Sequence, residues 1–160
     1  MNKSRFPDRT ITIYLQIAET AILCQDPSLS QSMLLAAYEQ VNDFSQTVDL
    51  KTLTRLAEFL VMAKLTKQAE EIFNVVLKKI EKNCDDNWLK ARIYDGLAEV
   101  HFVNCHFDKA RKKFAQVLKI LTTLPHVDPL MVVARQRKLQ LLNLRQENIE
   151  KKTRLANSSR

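Results

Sequence analysis

The chain has 160 residues, of which 46% are apolar and 27% charged, with a formal net charge of +7. This length suits one domain of ordinary size, and no apolar run approaches the ~18 residues of a membrane-spanning helix, so we expect a soluble protein. One glycine and four prolines exclude a β fold with many tight turns. Because good helix formers make up much of the rest, the composition predicts a nearly all-helical protein.

The cysteines and the N-terminal segment indicate the cellular compartment. Cys24, Cys84 and Cys105 are an odd number of thiols without the spacing of a zinc or redox motif. The N-terminal segment carries positive charge but no apolar region behind it, unlike a secretory signal. Both features predict reduced thiols in a cytoplasmic protein.

The first predicted hairpin covers residues 9–46. Its first helix is expected to start after a cap at Asp8 to Thr10 and to continue to about Cys24, since apolar residues recur at helical spacing. Ser28 and Gln31 form a capping-box pattern, which predicts the start of a second helix.

Two further hairpins are predicted over residues 49–83 and 87–124. Asp49 is expected to cap the first helix of the second hairpin, and Leu65-Thr66 separates that helix from its partner. The third hairpin pairs Trp88–Asn104 with Asp108–Leu124. Because the connections are short, successive helices should be antiparallel neighbours.

A long basic helix is predicted over residues 128–155. Asp128 followed by Pro129 places an N-cap before a proline at the first helical position. The helix should end near Arg154, with residues 156–160 as a disordered tail. Its heptad-like stripe consists of Val132, Leu139, Leu142 and Ile149.

Two parts of the chain repeat each other. Ala69–Lys78 aligns with Ala110–Lys119, and Leu56–Glu58 precedes the first segment by the same interval as Leu97–Glu99 precedes the second. A fainter third copy begins at Ile17. A period of 39 to 41 residues indicates stacked helical units, which mostly present surfaces to partners and rarely carry out chemistry.

This repeat resembles the tetratricopeptide repeat (TPR) family, which places small residues in both helices and an aromatic four residues after the second. The matching positions in the two clear copies are Ala57, Ala69 and Phe73, then Ala98, Ala110 and Phe114. The family's usual period is about 34 residues, so these units are similar to its long-period variants. Over residues 11–124, the resemblance implies an all-α, right-handed superhelical stack of three antiparallel helical hairpins, with the terminal helix as a cap. A generic α-helical repeat of the same handedness is the alternative.

Each first helix carries a packing stripe that includes Ile17 in the first copy, and a second stripe that includes Leu15 and Thr54. In the implied stack, equivalent positions of the second stripe form three rows that would bind a partner. The apolar row is Ile22, Leu23, Val61, Met62, Phe102 and Val103; the glutamate row is Glu19, Glu58 and Glu99; the basic row is Lys51 and Arg92. An apolar row beside carboxylates fits an amphipathic helix or extended segment with apolar anchors and adjacent Lys or Arg.

Structural interpretations compete with this partner-binding surface. The apolar row could instead be core, covered by neighbouring helices. Arg55 and Glu58, like Arg92 and Asp95, stand at the spacing of ordinary intrahelical ion pairs.

The basic terminal helix offers three further alternatives. Arg135, Arg137 and Lys138 could meet the glutamate row if this helix occupied the groove of its own chain or of a second copy, which would give a homodimer. These cations could also contact the phosphates of a nucleic acid. However, acidic residues are interleaved along the helix and no aromatic lies among its cations to stack bases, which disfavours nucleic acid.

The remaining polar residues form no recognisable catalytic or metal motif. His101 and Cys105 are one helical turn apart, but a zinc site normally needs four ligands, and His101 aligns with Leu60, which predicts a half-buried packing histidine. Gly96 costs a helix about 1 kcal/mol, so it should permit the close approach of a neighbouring helix or a bound segment. The sequence thus predicts a non-enzymatic adaptor, scaffold, chaperone-like binder or assembly factor without cofactors.

Overall fold

The computed structural model describes residues 7–44, 48–83 and 86–158. No strand occurs within these ranges, so the predicted all-α class is confirmed. No helix in the described part of the chain is both long enough and apolar enough to cross a bilayer. The helices are α1 (Pro7–Leu23), α2 (Pro27–Phe44), α3 (Leu50–Met62), α4 (Thr66–Asn83), α5 (Asn87–Val103), α6 (Phe107–Leu121) and α7 (Pro129–Ser158).

Three hairpins are formed by α1 with α2, α3 with α4, and α5 with α6, each joined by three residues. The first helices of the hairpins also contact one another, because α3 packs against both α1 and α5. Each second helix contacts the first helix that follows it, and α7 packs against α6 in the same way. The first helices therefore lie side by side, with α7 continuing the alternation of helices.

Short polar side chains cap the N-termini of several helices. Asp49 Oδ2 accepts a hydrogen bond from the Thr52 backbone N–H at 2.9 Å, as predicted. Asp128 likewise caps α7, where its Oδ1 accepts from the Leu130 N–H at 2.9 Å. The predicted capping box at Ser28 is wrong, because α2 begins at Pro27 and Asp26 Oδ1 accepts from the Leu29 N–H at 3.0 Å.

Two other predicted bounds also change. Helix α1 begins at Pro7, so the cap expected at Asp8 to Thr10 lies inside the helix instead. Helix α7 continues to Ser158, four residues beyond the predicted end at Arg154. Residues 45–46 of the predicted first hairpin and 159–160 of the predicted tail lie outside the described residues.

The main apolar core is continuous through α1 to α5. Gly96 of α5 lies directly under the fully buried ring of Phe73 from α4, and an added Cβ would lie 2.6 Å from Cε2 of that ring. The glycine therefore permits the close approach of a neighbouring helix, which confirms the first of the two predicted roles.

A smaller core joins α7 to the third hairpin. Leu142 is buried against Phe114 and Ala110 of α6, with Leu139 packed beside them. Ile149, the last residue of the predicted heptad-like stripe, lines a cleft together with Leu142 and Phe107, and its side chain is 50% exposed. The N-terminal half of α7 thus provides its apolar contacts with the hairpins.

Candidate functional site

The same chain reversal follows α1, α3 and α5. In the second turn, the Lys64 N–H donates to the Val61 carbonyl at 2.9 Å, and the Leu65 N–H donates to the Leu60 carbonyl at 2.8 Å. The first and third turns repeat both bonds at equivalent residues. Each turn also holds one non-glycine residue in the left-handed region, with φ of 57°, 62° and 59° at Gln25, Lys64 and Cys105. These bonds define a Schellman motif, so the last two residues of each first helix take equivalent positions.

Those last two residues form the apolar row. Leu23 is 79% exposed, Met62 63%, Phe102 43% and Val103 42%. Ile22 and Val61, which precede them on α1 and α3, are only half-buried. The interpretation of the row as core is therefore wrong for its four exposed members. Equivalent ends of three adjacent helices present apolar side chains to solvent.

Part of the predicted partner-binding stripe is buried in the middle of α1 and α3. Leu15 and Thr54, assigned above to the partner-binding stripe, are 1% and 0% exposed, and Thr54 Oγ1 donates to the Leu50 carbonyl at 2.7 Å. Ile17, assigned to the packing stripe, is 38% exposed. The accessible part of the predicted surface is thus concentrated at the C-terminal ends of the first helices.

The glutamate row is engaged by cations from the following first helix. Glu19 of α1 pairs with Arg55 of α3 at 2.9 Å, and Glu58 of α3 pairs with Arg92 of α5 at 2.6 Å. The interpretation of Arg55–Glu58 and Arg92–Asp95 as intrahelical pairs is therefore wrong, because these arginines reach across to the neighbouring helix. Lys51 of the predicted basic row is exposed.

Ion pairs between a carboxylate and a cation of a neighbouring helix also join α5 to α7. Arg135 donates through Nε and Nη2 to both carboxylate oxygens of Asp95, and Lys138 donates to Glu99. The hydrogen bond that Arg135 donates to the Asp95 carboxylate raises the pKa of the Arg135 guanidinium above its ordinary value. Of the three cations predicted to meet the glutamate row or a nucleic acid, only Arg137 is exposed. Lys138 of α7 therefore meets a glutamate of the row within the same chain, and Arg135 meets the neighbouring Asp95 of α5.

A cleft of about 540 Å³ opens beside the apolar row, between the first two turns. Ile22 and Met62 line it together with Gln31, whose side-chain amide donates to the Ala63 carbonyl at 3.3 Å. Ser30 also lines the cleft, and its buried hydroxyl has no partner among the described residues. Neither of these polar residues was predicted as part of the partner-binding surface. Their place at the start of α2 could have suggested that they adjoin the apolar row.

His101 lies at the end of α5, with its ring centroid 6.2 Å from that of His106. The side chain is buried, more completely than the half-buried histidine predicted from its alignment with Leu60, and Nδ1 lacks a hydrogen-bond partner among the described residues. Burial lowers the pKa of His101 below its ordinary value. Within the described residues, no three His, Cys, Asp or Glu side chains are grouped so that they could hold a metal ion. Cys24 and Cys105 are exposed thiols, and Cys84 lies outside the described residues.

Comparison with known proteins finds no match: no family model, no curated protein and no solved structure resembles this chain significantly. The function is therefore inferred from the exposures and contacts of the residues described above. On the first helices, these residues form two zones. The central zone is ion-paired between helices, and the C-terminal zone is apolar and open to solvent.

Proposed function

We propose that this chain is a non-enzymatic protein-interaction module of the TPR type, an adaptor, scaffold, chaperone-like binder or assembly factor. It binds a segment of another protein along the apolar row. The observation that carries the proposal is the solvent exposure of Leu23, Met62 and Phe102 at equivalent ends of three adjacent helices. Apolar side chains exposed at equivalent places on neighbouring helices are typical of interaction sites.

The helix contacts support a superhelical stack as the scaffold of this surface. First helices contact first helices, and each second helix contacts the next first helix, so every hairpin is related to its neighbour in a similar way. When a similar rotation and translation relate each hairpin to the next, equivalent side chains form continuous rows. Helix α7 then acts as the capping helix, because it covers α6 and binds Asp95 and Glu99 of α5.

The spacing of the row indicates the form of the partner. Packed helices lie about 8–10 Å apart, which sets the distance between apolar side chains on successive first helices. In a partner helix, residues seven positions apart are separated by about 10.5 Å. In an extended segment of polyproline II type, every third residue lies on the same face, at a spacing of about 9 Å. We therefore propose a partner with three apolar anchors at one of these spacings. The flexible thioether of Met62 suits such a contact, since methionine adapts to differently shaped anchors.

The ion pairs change the expected contribution of charge. A basic partner residue must compete with Arg55 for Glu19 and with Arg92 for Glu58. The apolar anchors therefore supply most of the affinity, which should depend only weakly on salt concentration. Binding to a nucleic acid would instead fall steeply as salt increases.

The test uses the full chain and a displayed library of random peptides. Peptides selected on the unmodified protein should share apolar residues at the predicted spacing. A variant carrying Met62→Asp and Phe102→Asp should bind these peptides with about 100-fold lower affinity, because two apolar anchors of the peptide would each face a carboxylate. Affinities can be measured by fluorescence anisotropy with the selected peptides.

Val75 and Leu29 provide a matched control, since both are exposed apolar residues outside the row. The variant carrying Val75→Asp and Leu29→Asp should keep wild-type affinity and helicity. Selection of no peptides, or equal losses in both variants, would contradict the proposed site. Peptide binding that disappears at high salt would favour an electrostatic partner instead.

A further inference from the structure

Helix α7 carries apolar side chains on two sides, and within the described part of the chain only one of these sides is covered by other helices. Its inner side places Leu139 and Leu142 against α6. At about 100° per residue, a second set of leucines points away from this contact. Within α7, the most exposed large apolar side chains are Leu130 at 74%, Leu155 at 68%, Leu141 at 67% and Leu144 at 55%.

These leucines belong to a seam with coiled-coil spacing, here named the outer seam. Its positions alternate at intervals of four and three residues, which average the 3.5-residue period of a two-helix coiled coil. All eight side chains of the seam are exposed. The outer seam consists of Leu130, Ala134, Arg137, Leu141, Leu144, Asn148, Lys151 and Leu155.

We propose that the outer seam pairs with the same seam of a second copy of this chain, in antiparallel orientation, to form a homodimer. The order of residues along the seam is nearly palindromic about its centre. Antiparallel pairing therefore places Leu130 opposite Leu155 of the partner subunit and Leu141 opposite Leu144 of the partner subunit. Arg137 then faces Asn148 of the partner subunit. Every leucine of the seam meets a leucine of the partner subunit, so the two seams are self-complementary at these positions, as a two-fold interface requires.

Charge selects the antiparallel orientation over the parallel one. In a parallel dimer, Arg137 would face the partner's Arg137, and Lys151 would face the partner's Lys151, which places like charges together in the seam. In the antiparallel dimer, Lys151 faces the partner's Ala134, and its long side chain can extend to solvent. Arg137 also comes within reach of the partner's Glu147, which lies beside Asn148 in the sequence. Opposite charges at the edge of a coiled coil favour one orientation.

The seam is long enough for specific association but contains polar layers that weaken it. From Leu130 to Leu155 the helix rises about 38 Å. Leucine pairs supply half of the layers, and the layers with Arg137 and Lys151 lower the stability of the dimer. We therefore infer a reversible dimer. This inference is independent of the proposed partner site, because the apolar row lies on α1, α3 and α5.

The association is tested by sedimentation velocity on the full chain between about 1 and 100 μM, where complexes of moderate affinity change population. The mass should rise from the 18.5 kDa of one chain to twice that value. A variant with Leu141→Glu and Leu144→Glu should remain monomeric throughout. The control variant carries Gln136→Glu and Asn143→Glu, which add the same charge at exposed sites away from the seam, and should dimerise like the unmodified chain.

The orientation is tested by disulfide trapping in a chain whose Cys24, Cys84 and Cys105 are replaced by serine. Arg137→Cys and Asn148→Cys are introduced in separate chains. A mixture of the two should form a covalent heterodimer, while each variant alone should stay uncrosslinked. Homodimer crosslinks from the single variants would overturn the antiparallel orientation. A monomer at all concentrations, or a dimer that survives Leu141→Glu with Leu144→Glu, would overturn the proposed interface.

Discussion

Helices α3 and α7 show how the number of neighbouring helices decides what a helix buries. Helix α3 has 13 residues and contacts α1, α2, α4 and α5, and it buries five of its side chains. Helix α7 has 30 residues, yet among its described side chains only Leu142 is buried. Both helices contain several leucines. Burial of a helix therefore depends on neighbouring helices on several sides, and leucine content alone does not predict it.

The largest expected effect tests this difference directly. Phe73→Ala removes a fully buried ring between α4 and α5, and it should lower the free energy of unfolding by about 3–5 kcal/mol. Ile149→Ala in α7 removes a half-exposed side chain, and it should change this free energy by less than about 1 kcal/mol. Urea unfolding followed by circular dichroism measures both. Equal losses would show that α7 is packed as tightly as the hairpins.

Features that depend on nearby residues could be predicted from the sequence, whereas features that depend on neighbouring helices could not. Caps such as Asp49 and Asp128 depend only on nearby backbone groups, so they could be predicted from the sequence. The burial of Leu15 and Thr54 could not, because a helix with neighbours on several sides buries a wider arc than one apolar stripe indicates. The periodicity of a single helix contains no information about how many helices surround it.

The ion pairs were mispredicted for a related physical reason. Arg55 and Glu58 stand three residues apart, and this spacing is visible in the sequence. The observed partner of Arg55 is Glu19, which depends on the register between α1 and α3. Such a register follows from side-chain packing between helices, so the sequence of one helix does not determine it. The apolar row was easier to find, since the repeat alone aligns its members.

The next effect concerns a close contact between two hairpins, where Gly96 of α5 meets Phe73 of α4. Gly96→Ala should destabilise the protein by about 1–3 kcal/mol, because its Cβ would overlap the Phe73 ring. At an exposed helical position, the same change would stabilise by up to about 1 kcal/mol. Chemical denaturation of Gly96→Ala, Phe73→Leu and the double variant measures the coupling. A smaller side chain at residue 73 should recover part of the loss, and strict additivity would contradict the contact.

A third prediction compares α3 with α5 at one position of the repeat, where Leu60 and His101 correspond. His101→Leu should stabilise the protein by about 1 kcal/mol at neutral pH, because it removes a buried Nδ1 without a partner. The pKa of His101 is lowered by burial, so the unfolded chain binds its proton at higher pH than the folded protein does.

This histidine therefore costs the folded protein stability as pH falls below the unfolded-state pKa of about 6.5. The difference in free energy of unfolding between His101→Leu and the unmodified protein should grow as the pH is lowered from neutral. Denaturant titrations at several pH values measure it. A difference that stays constant with pH would show that His101 becomes protonated as easily in the folded state.

A fourth prediction tests whether the three turns that support the apolar row are equivalent. Lys64 holds a φ of 62°, which costs a residue with a Cβ about 1 kcal/mol relative to glycine. Lys64→Gly should therefore raise the free energy of unfolding by about 1 kcal/mol, while Lys64→Ala should give no such gain. Gln25→Gly and Cys105→Gly should raise it by similar amounts, because the same backbone bonds close their turns. Thermal and urea unfolding measure the series, and a gain confined to one turn would contradict the equivalence of the three helix ends.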